Sequence, residues 1–368
     1  MSDDLDLHTS SSVPALSIVI PSYNSADWLP TTFDSLAVAV RAAGVSVQIV
    51  VVDDGSTDDT TKIVAGLAPS FPGIVEVHRQ ENQGRFLARW AGLERARSER
   101  TLLFDSRVLL DPDSLRYLFD RLAEDPSHSV WNGHVRTDAS APLVGRFWEV
   151  PTHIFWAGYL REPRPMDITP ENFDSVPKGT GTFLAPTALL REAFKATWPS
   201  EDARLVSDDT KLLRWLVESH PIRLDPGFSA VYRPRTTLRG FISHTFDRGT
   251  LFVDSYAGTT AIRSMILIAL AALPILFVAA CIVLALLGWA PVALAAIGCA
   301  VLIALAPLIP AAVNRCPPRA LLAYIVILPV FIVPFWIGLV RGIVIHRKAF
   351  LPRRGHHTST ISKETNPT

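Results

Sequence analysis

The sequence predicts an α/β domain, a mostly parallel sheet with helices on both faces, followed by C-terminal transmembrane helices. Three observations carry this reading. Short apolar runs alternate with helically spaced segments through the first half of the chain. The stretches that end those runs are rich in Asp, Asn, Gly and Ser. Beyond residue 264 the chain holds three long stretches without a charged residue, 265–287, 290–313 and 321–340.

The elements follow in order. Residues 1–14, "MSDDLDLHTSSSVP", are acidic and polar and read as a disordered leader. They have neither the basic start nor the apolar middle of a secretory signal, so the domain that follows is expected on the cytosolic side. "LSIVIP" (16–21) is a β-branched run stopped by proline, a strand. Leu29, Phe33, Leu36 and Val40 then recur at helical spacing. "VQIVVVDD" (47–54) is a second strand; "GSTDDT" turns into a helix, with Ser56 or Thr57 as its N-cap. "IVEVH" (74–78) is a third strand, with a helix over 85–96, and "TLLF" (101–104) a fourth. Strands apolar along their whole length are covered on both faces, which indicates a parallel sheet. Ligands of such sheets bind beyond the carboxyl ends of the strands. The residues after Ile20, Val52, His78 and Phe104 should therefore meet in one crevice.

Several alternatives lose support. Formal net charge is zero, which gives no footing to nucleic-acid binding. No GxGxxG follows a strand, and "KGTGT" (178–182) lacks the spacing of a phosphate-binding P-loop. Cys281, Cys299 and Cys316 all lie in or beside the uncharged stretches, leaving no disulfide framework or Cys-based zinc site in the polar part. Asp111 followed by Pro112 reads as an N-cap and a first-turn proline.

A membrane span takes roughly 20 apolar residues. The stretches near 265–287, 290–313 and 321–345 are long enough, so the chain is expected to be a multi-pass protein of the inner or plasma membrane. Topology pulls two ways. Arg315 and Arg319 flank the loop after the second stretch, and Arg341, Arg347, Lys348, Arg353 and Arg354 mark a basic tail over 346–368, read as disordered. Hydropathy favours three spans. The preference of basic residues for the cytosol favours an even number, with the third stretch, interrupted by Pro329 and Pro334, re-entrant or interfacial. Three is the reading adopted. Between domain and spans, 241–260 reads as an amphipathic interface helix, with Ile242, Phe246, Gly249, Val253 and Tyr256 on one face.

Six motifs now stand in order: "SIVIPSYN" (17–24), "IVVVDDGSTDDT" (49–60), "ENQGRFLARWAG" (81–92), "LLFDS" (102–106), "KGTGTFLAP" (178–186) and "SDDTKLLR" (207–214). Together they resemble a family 2 glycosyltransferase with a GT-A fold, over about 15–235 of a domain taken to end near 240. The stretch 232–250 before the apolar region looks like membrane-attached members that build exopolysaccharide or lipid-linked glycans. The resemblance implies a nucleotide-sugar site at Pro21, Tyr23, Asn24, Asp53, Asp54, Arg85, Asp105 and Arg107, with Asp53 favoured for the base. It implies an acceptor side at Lys178, Gly179, Thr180, Gly181 and Asp208, and a catalytic base at Asp209. Arg89 is read as structural.

A carboxylate in reach of an acceptor hydroxyl can take its proton as it attacks the sugar. A second acid beside it, Asp208, can raise its pKa by repulsion. The resemblance also implies magnesium or manganese at Asp105. The family usually has a second acid two residues on, where this chain has Arg107. Residues i and i+2 of an extended segment face the same side. Arg107 is therefore expected to meet the diphosphate itself, and to weaken metal dependence.

The function implied is membrane-bound, inverting transfer from a nucleotide sugar, UDP-sugars favoured, to a lipid-linked glycan at the cytosolic face. Two alternatives stay open. One is a polyprenyl-phosphate glycosyl synthase. The other is a catalytically inactive relative acting as membrane scaffold or sensor. The position of a Gln or Arg followed by Arg-Trp in processive relatives holds His244, Asp247 and Arg248, which argues against a polymerising synthase.

Overall fold

The structure is a computed structural model describing residues 13–199, 202–207 and 209–350. Most of the predicted leader and tail, and Asp208, lie outside the described residues.

The first half alternates as expected. Strand β1 is Leu16–Ser22, helix α1 Leu29–Ala43, β2 Val47–Asp54, α2 Thr60–Leu67, β3 Ile74–Gln80, α3 Arg85–Arg95 and β4 Arg100–Phe104. The chain continues through β5 (Val108–Leu110), α4 (Ser114–Glu124), β6 (Trp131–Thr137), α5 (Leu143–Arg146), α6 (Glu149–Phe155), α7 (Ala157–Leu160) and β7 (Met166–Ile168). It closes the domain with β8 (Thr182–Pro186), α8 (Thr187–Ala196), α9 (Thr210–Val217) and β9 (Ile222–Tyr232).

One sheet runs in the order β3-β2-β1-β4-β8-β6-β9-β5, with β7 beside β9. From β3 to β4 all pairs are parallel, as the apolar runs require. Beyond β4 the sheet is mixed: β8 pairs antiparallel with β4 and β6, while β6 and β9 pair in parallel. Apolar residues fill both faces. Phe33, Leu36, Leu115 and Leu118 pack on one side. Phe86, Phe194, Leu212 and Leu216 pack on the other.

Two helix starts differ from the sequence reading. α2 begins at Thr60, where Asp58 Oδ1 accepts from Thr60 N at 3.0 Å. Ser56 and Thr57 are instead tied to Asn24. α4 has Asp113 at its N-cap, because Asp111 pairs with Arg136 at 2.7 Å and accepts from Ser229.

The C-terminal part comprises α10 (Leu238–Tyr256), α11 (Ala261–Leu286), α12 (Ala290–Leu305), α13 (Leu308–Val313) and α14 (Pro318–Ile345). α10 starts before residue 241 because Thr237 caps it, accepting from Gly240 N at 3.2 Å. The three stretches Ala261–Leu286, Ala290–Val313 and Pro318–Ile345 are each long and apolar enough to cross a membrane. Pro329 and Pro334 do not break α14.

α10 and α14 run side by side in the same direction. Phe241 packs with Tyr324 and Ile327, and Val253 with Leu339. Small residues let the backbones touch. A Cβ on Gly249 would meet Phe335 O, and Leu339 N at 2.7 Å. Both ends of α14 reach the sheet domain. Pro318 and Arg319 face its cavity, and just past the helix His346 Nε2 lies 3.2 Å from Leu205 O. The opposite side of α14 leaves Leu322, Ile325, Val326, Ile332, Val333 and Ile337 exposed.

Candidate active site

The carboxyl ends of β1, β2 and β4 open into a cavity of about 1380 Å³. Pro21, Tyr23 and Asn24 line it after β1, Asp54 after β2, and Asp105 and Arg107 after β4. Arg85 enters from the start of α3, Lys178 to Gly181 from the loop before β8, and Asp209 from the start of α9. The crevice predicted from the strand ends is therefore a single space.

The loops are stapled to one another. Asn24 sits in the left-handed region at φ 48°, which Asn tolerates better than most residues. Its Oδ1 accepts from Thr57 N at 2.8 Å, joining the loops after β1 and β2. Tyr23 is left 52% exposed, its ring open to solvent.

The two adjacent aspartates divide their work, because neighbours in a strand face opposite sides. Asp53 is buried and is not among the cavity-lining residues. Its carboxylate accepts from Ser56 N at 2.9 Å and Thr61 Oγ1 at 2.5 Å, so it builds the turn. Asp54 lines the cavity and accepts from Gln83 N and Gly84 N, both at 2.9 Å. That bond pair orders the entry to α3 and hence Arg85.

After β4 the chain does not stay extended. Val108 N donates to Asp105 O at 3.0 Å, so Asp105–Val108 is a tight turn. Asp105 and Arg107 reach the same cavity through that turn rather than through strand alternation. Arg107 is clamped: its guanidinium stacks 3.9 Å from the Trp28 ring centre, and Nε donates to Arg233 O at 3.0 Å. Nη2 is buried with no hydrogen-bond partner among the described residues. Burial and the nearby Arg235 pull its pKa down to about 10, so it stays charged at neutral pH.

Asp105 pairs with Arg89 at 3.5 Å. Arg89 is 1% exposed and also donates to Thr180 O at 3.4 Å. Sequence reasoning set Arg89 aside as structural, yet it lines the cavity. The available signal was its position one helical turn after Arg85, on the same face. Trp28 was missed altogether.

Asp209 caps α9. Its Oδ1 accepts from Ser207 Oγ at 2.9 Å and Thr210 N at 2.5 Å. Burial raises its pKa, but the hydrogen bonds from Ser207 and Thr210, with Arg89 nearby, more than offset this and hold it below the usual value. The raised pKa expected from paired acids is not what these contacts produce. The preceding segment is anchored to α10: Asp254 Oδ2 accepts from Ser207 N at 2.9 Å. Lys178 lines the cavity, but its ammonium is engaged by the carbonyls of Phe173 and Val176.

Residues 17–196 match the family described as Glycosyl transferase family 2. The chain carries a family 2 glycosyltransferase domain. Its mixed, helix-covered sheet is a GT-A fold. Among curated relatives, the chain is 36% identical over 109 residues to the succinoglycan biosynthesis protein ExoO of Rhizobium meliloti (strain 1021), covering 30% of each chain. It is 30% identical over 113 residues to the undecaprenyl-phosphate 4-deoxy-4-formamido-L-arabinose transferase of Pseudomonas paraeruginosa (strain DSM 24068 / PA7), covering 30% of this chain and 33% of that one. The chain thus spans about a third of the length of the curated relatives it matches. A solved structure, the mannosyltransferase PcManGT from Pyrobaculum calidifontis in complex with GDP-Man and Mn2+, aligns with a TM-score of 0.48 and 19% identity, over 90% of this chain and 88% of that one.

Among the described residues no three His, Cys, Asp or Glu gather into a metal cluster. Asp105 still suits an ion shared with a substrate. It presents one carboxylate at 27% exposure, and Oδ2 faces Gly181, where a Cβ would lie 3.4 Å away. Magnesium commonly takes one or two carboxylates plus substrate phosphates.

Proposed function

We propose that this glycosyltransferase is membrane-bound and inverting, and moves a sugar from a nucleotide sugar to a hydroxyl of a lipid-linked glycan at the cytosolic membrane face. The observation that carries this is one cavity shared by the strand-end loops, Asp209 and residues 317–319 at the start of the apolar helix α14. The names of the relatives, succinoglycan biosynthesis and undecaprenyl-phosphate transfer, point the same way.

In this reading Tyr23 stacks the base, with Pro21 and the Asn24 loop shaping its pocket. Asp54 meets the nucleoside in place of Asp53, which is spent on its own turn. Arg85 and Arg107 hold the diphosphate. Asp105 would hold magnesium or manganese, and the ion would supply positive charge to the diphosphate as it leaves. Lys178 to Gly181 shape the acceptor side through their backbone. The acceptor hydroxyl attacks the anomeric carbon from the face opposite the diphosphate. A carbon–oxygen bond forms there, the bond to the diphosphate oxygen breaks, and its electron pair leaves with the nucleoside diphosphate. Asp209 takes the hydroxyl proton, worth typically 10²–10⁴ in rate. Attack from the opposite face inverts the anomeric configuration.

The position of α14 supports two membrane crossings, α11 and the α12–α13 pair, rather than three. A helix whose two ends both reach the catalytic domain lies along it, with its exposed apolar side toward lipid. The basic residues at both ends of α14 then stay on the cytosolic side, as their charge prefers.

A second reading, transfer to a polyprenyl phosphate itself, draws on the arginines of the membrane-side wall. The test is a screen of radiolabelled sugar nucleotides, UDP-sugars first, in native membranes, followed by lipid extraction. The proposal expects label in a lipid-linked product bearing the new sugar on a glycan. Label confined to aqueous hydrolysis products, with every donor, would overturn it.

A further inference from the structure

The cavity continues well beyond the donor end. Its membrane-side wall holds Arg235, His244, Asp247 and Arg248 on or just before α10, and Arg319 in the first turn of α14. Arg248 is fixed: its Nε donates to His244 Nε2 at 3.0 Å, and its guanidinium lies 4.8 Å from the Trp148 ring centre. Neither Arg235 nor Arg319 makes a side-chain hydrogen bond or ion pair among the described residues. The carboxylates nearby answer this charge only in part. Glu149 is paired with Arg146 at 3.0 Å, and Asp105 with Arg89. Asp247 is half-buried, and burial pushes its carboxyl above the usual value although Arg341 and Arg235 draw it down. His244 is held neutral by burial and by the surrounding Arg248, Arg235, Arg85 and Arg107.

Among the described residues this partly desolvated wall sets one carboxylate, Asp247, against the guanidinium groups of Arg235, Arg248 and Arg319, and its excess positive charge is costly unless an anion joins it. Arg85 and Arg107 face the donor diphosphate in the reading above. The remaining three need a second anion. Arg319 lies in the first turn of the apolar helix α14, whose exposed side is apolar, so that anion is the end group of a lipid.

We propose that Arg235, Arg248 and Arg319 form a second anion subsite, which holds the phosphate or diphosphate of the lipid-borne acceptor while the donor occupies its own site. This rests on the donor reading of the strand-end crevice. A lipid phosphate held there lies in the same cavity as Asp209.

The test titrates full-length protein in neutral detergent micelles with farnesyl diphosphate, in the presence of saturating UDP, by calorimetry. The proposal expects saturable binding that UDP does not displace, and no comparable binding of farnesol. Arg235→Gln and Arg319→Gln should each weaken farnesyl diphosphate about tenfold or more, as expected for lost charge-assisted hydrogen bonds. Unchanged UDP affinity in the same variants shows that they are folded. Displacement by UDP, equal binding of farnesol, or undiminished binding to both variants would overturn the subsite. Equal occupancy by phosphatidylglycerol would overturn its assignment to an acceptor. Failure of UDP to bind at all would overturn the donor reading instead, while the farnesyl diphosphate titration is still read on its own.

Discussion

In the proposed reading, Arg107 and Asp209 set the chemistry at the scale of single residues. Arg107 brings a fixed positive charge, held by Trp28 and Arg233, to the place where a second metal-binding acid was expected. Turnover is therefore expected to fall in chelator but to persist, and Arg107→Ala to make it strictly metal-dependent. Complete, metal-restorable loss in the wild type would contradict this. Asp209 has a depressed pKa, so it stays ionised as pH falls through the neutral and mildly acidic range. Its contribution is present above the ordinary carboxylate pKa, about 3.9, and is lost as pH falls through the lower folded value. Ser207→Ala removes one stabilising hydrogen bond and should move the acid limb of kcat/KM upward. A profile identical to the wild type would count against Asp209 as the base. The sequence displayed the strand-end motifs plainly. It did not show which of Asp53 and Asp54 faces the cavity, because a two-residue repeat has no sign until one face is known. Nor did it show Trp28 or Arg89, whose roles depend on packing between distant elements.

At the scale of elements, the parallel half of the sheet was legible because β1, β2 and β4 are apolar throughout. The second half was not. β6, "WNGHVRT", and β9, with Pro226 and Gly227 inside it, lack a clean apolar or alternating pattern, and their pairing depends on distant partners. The face of α10 read as amphipathic is used for a helix neighbour: Gly249 and Val253 pack on α14, while His244 and Arg248 turn to the cavity. The contact depends on missing side chains. Gly249→Val places a methyl-bearing carbon against the α14 backbone and is expected to cost about 1–3 kcal/mol by overpacking. Thermal unfolding in detergent should report the loss, and an unshifted midpoint would mean that the two helices are not packed as described.

At the scale of the whole molecule, the proposed reading has α14 link membrane and catalysis. It begins beside the cavity and ends at His346, 3.6 Å from Asp254, which in turn holds Ser207. Sequence composition showed three stretches able to span, and left their number of crossings to a conflict between hydropathy and charge. The resolution offered here comes from tertiary contacts, which no periodicity contains. A reporter fused after residue 368 is expected to report the cytosolic side, together with one fused at the N-terminus. Reporters on opposite sides of the membrane would restore the third crossing.

The central claim is that one pocket brings a nucleotide sugar and a base together at the membrane. Nucleoside diphosphate release in native membranes, compared between wild type and Asp209→Asn across a panel of sugar nucleotides, tests it most directly. The account predicts release with at least one donor, reduced about a hundredfold or more by the substitution with donor KM little changed. Undiminished release from Asp209→Asn, or binding of donors with no release from the wild type, would contradict it.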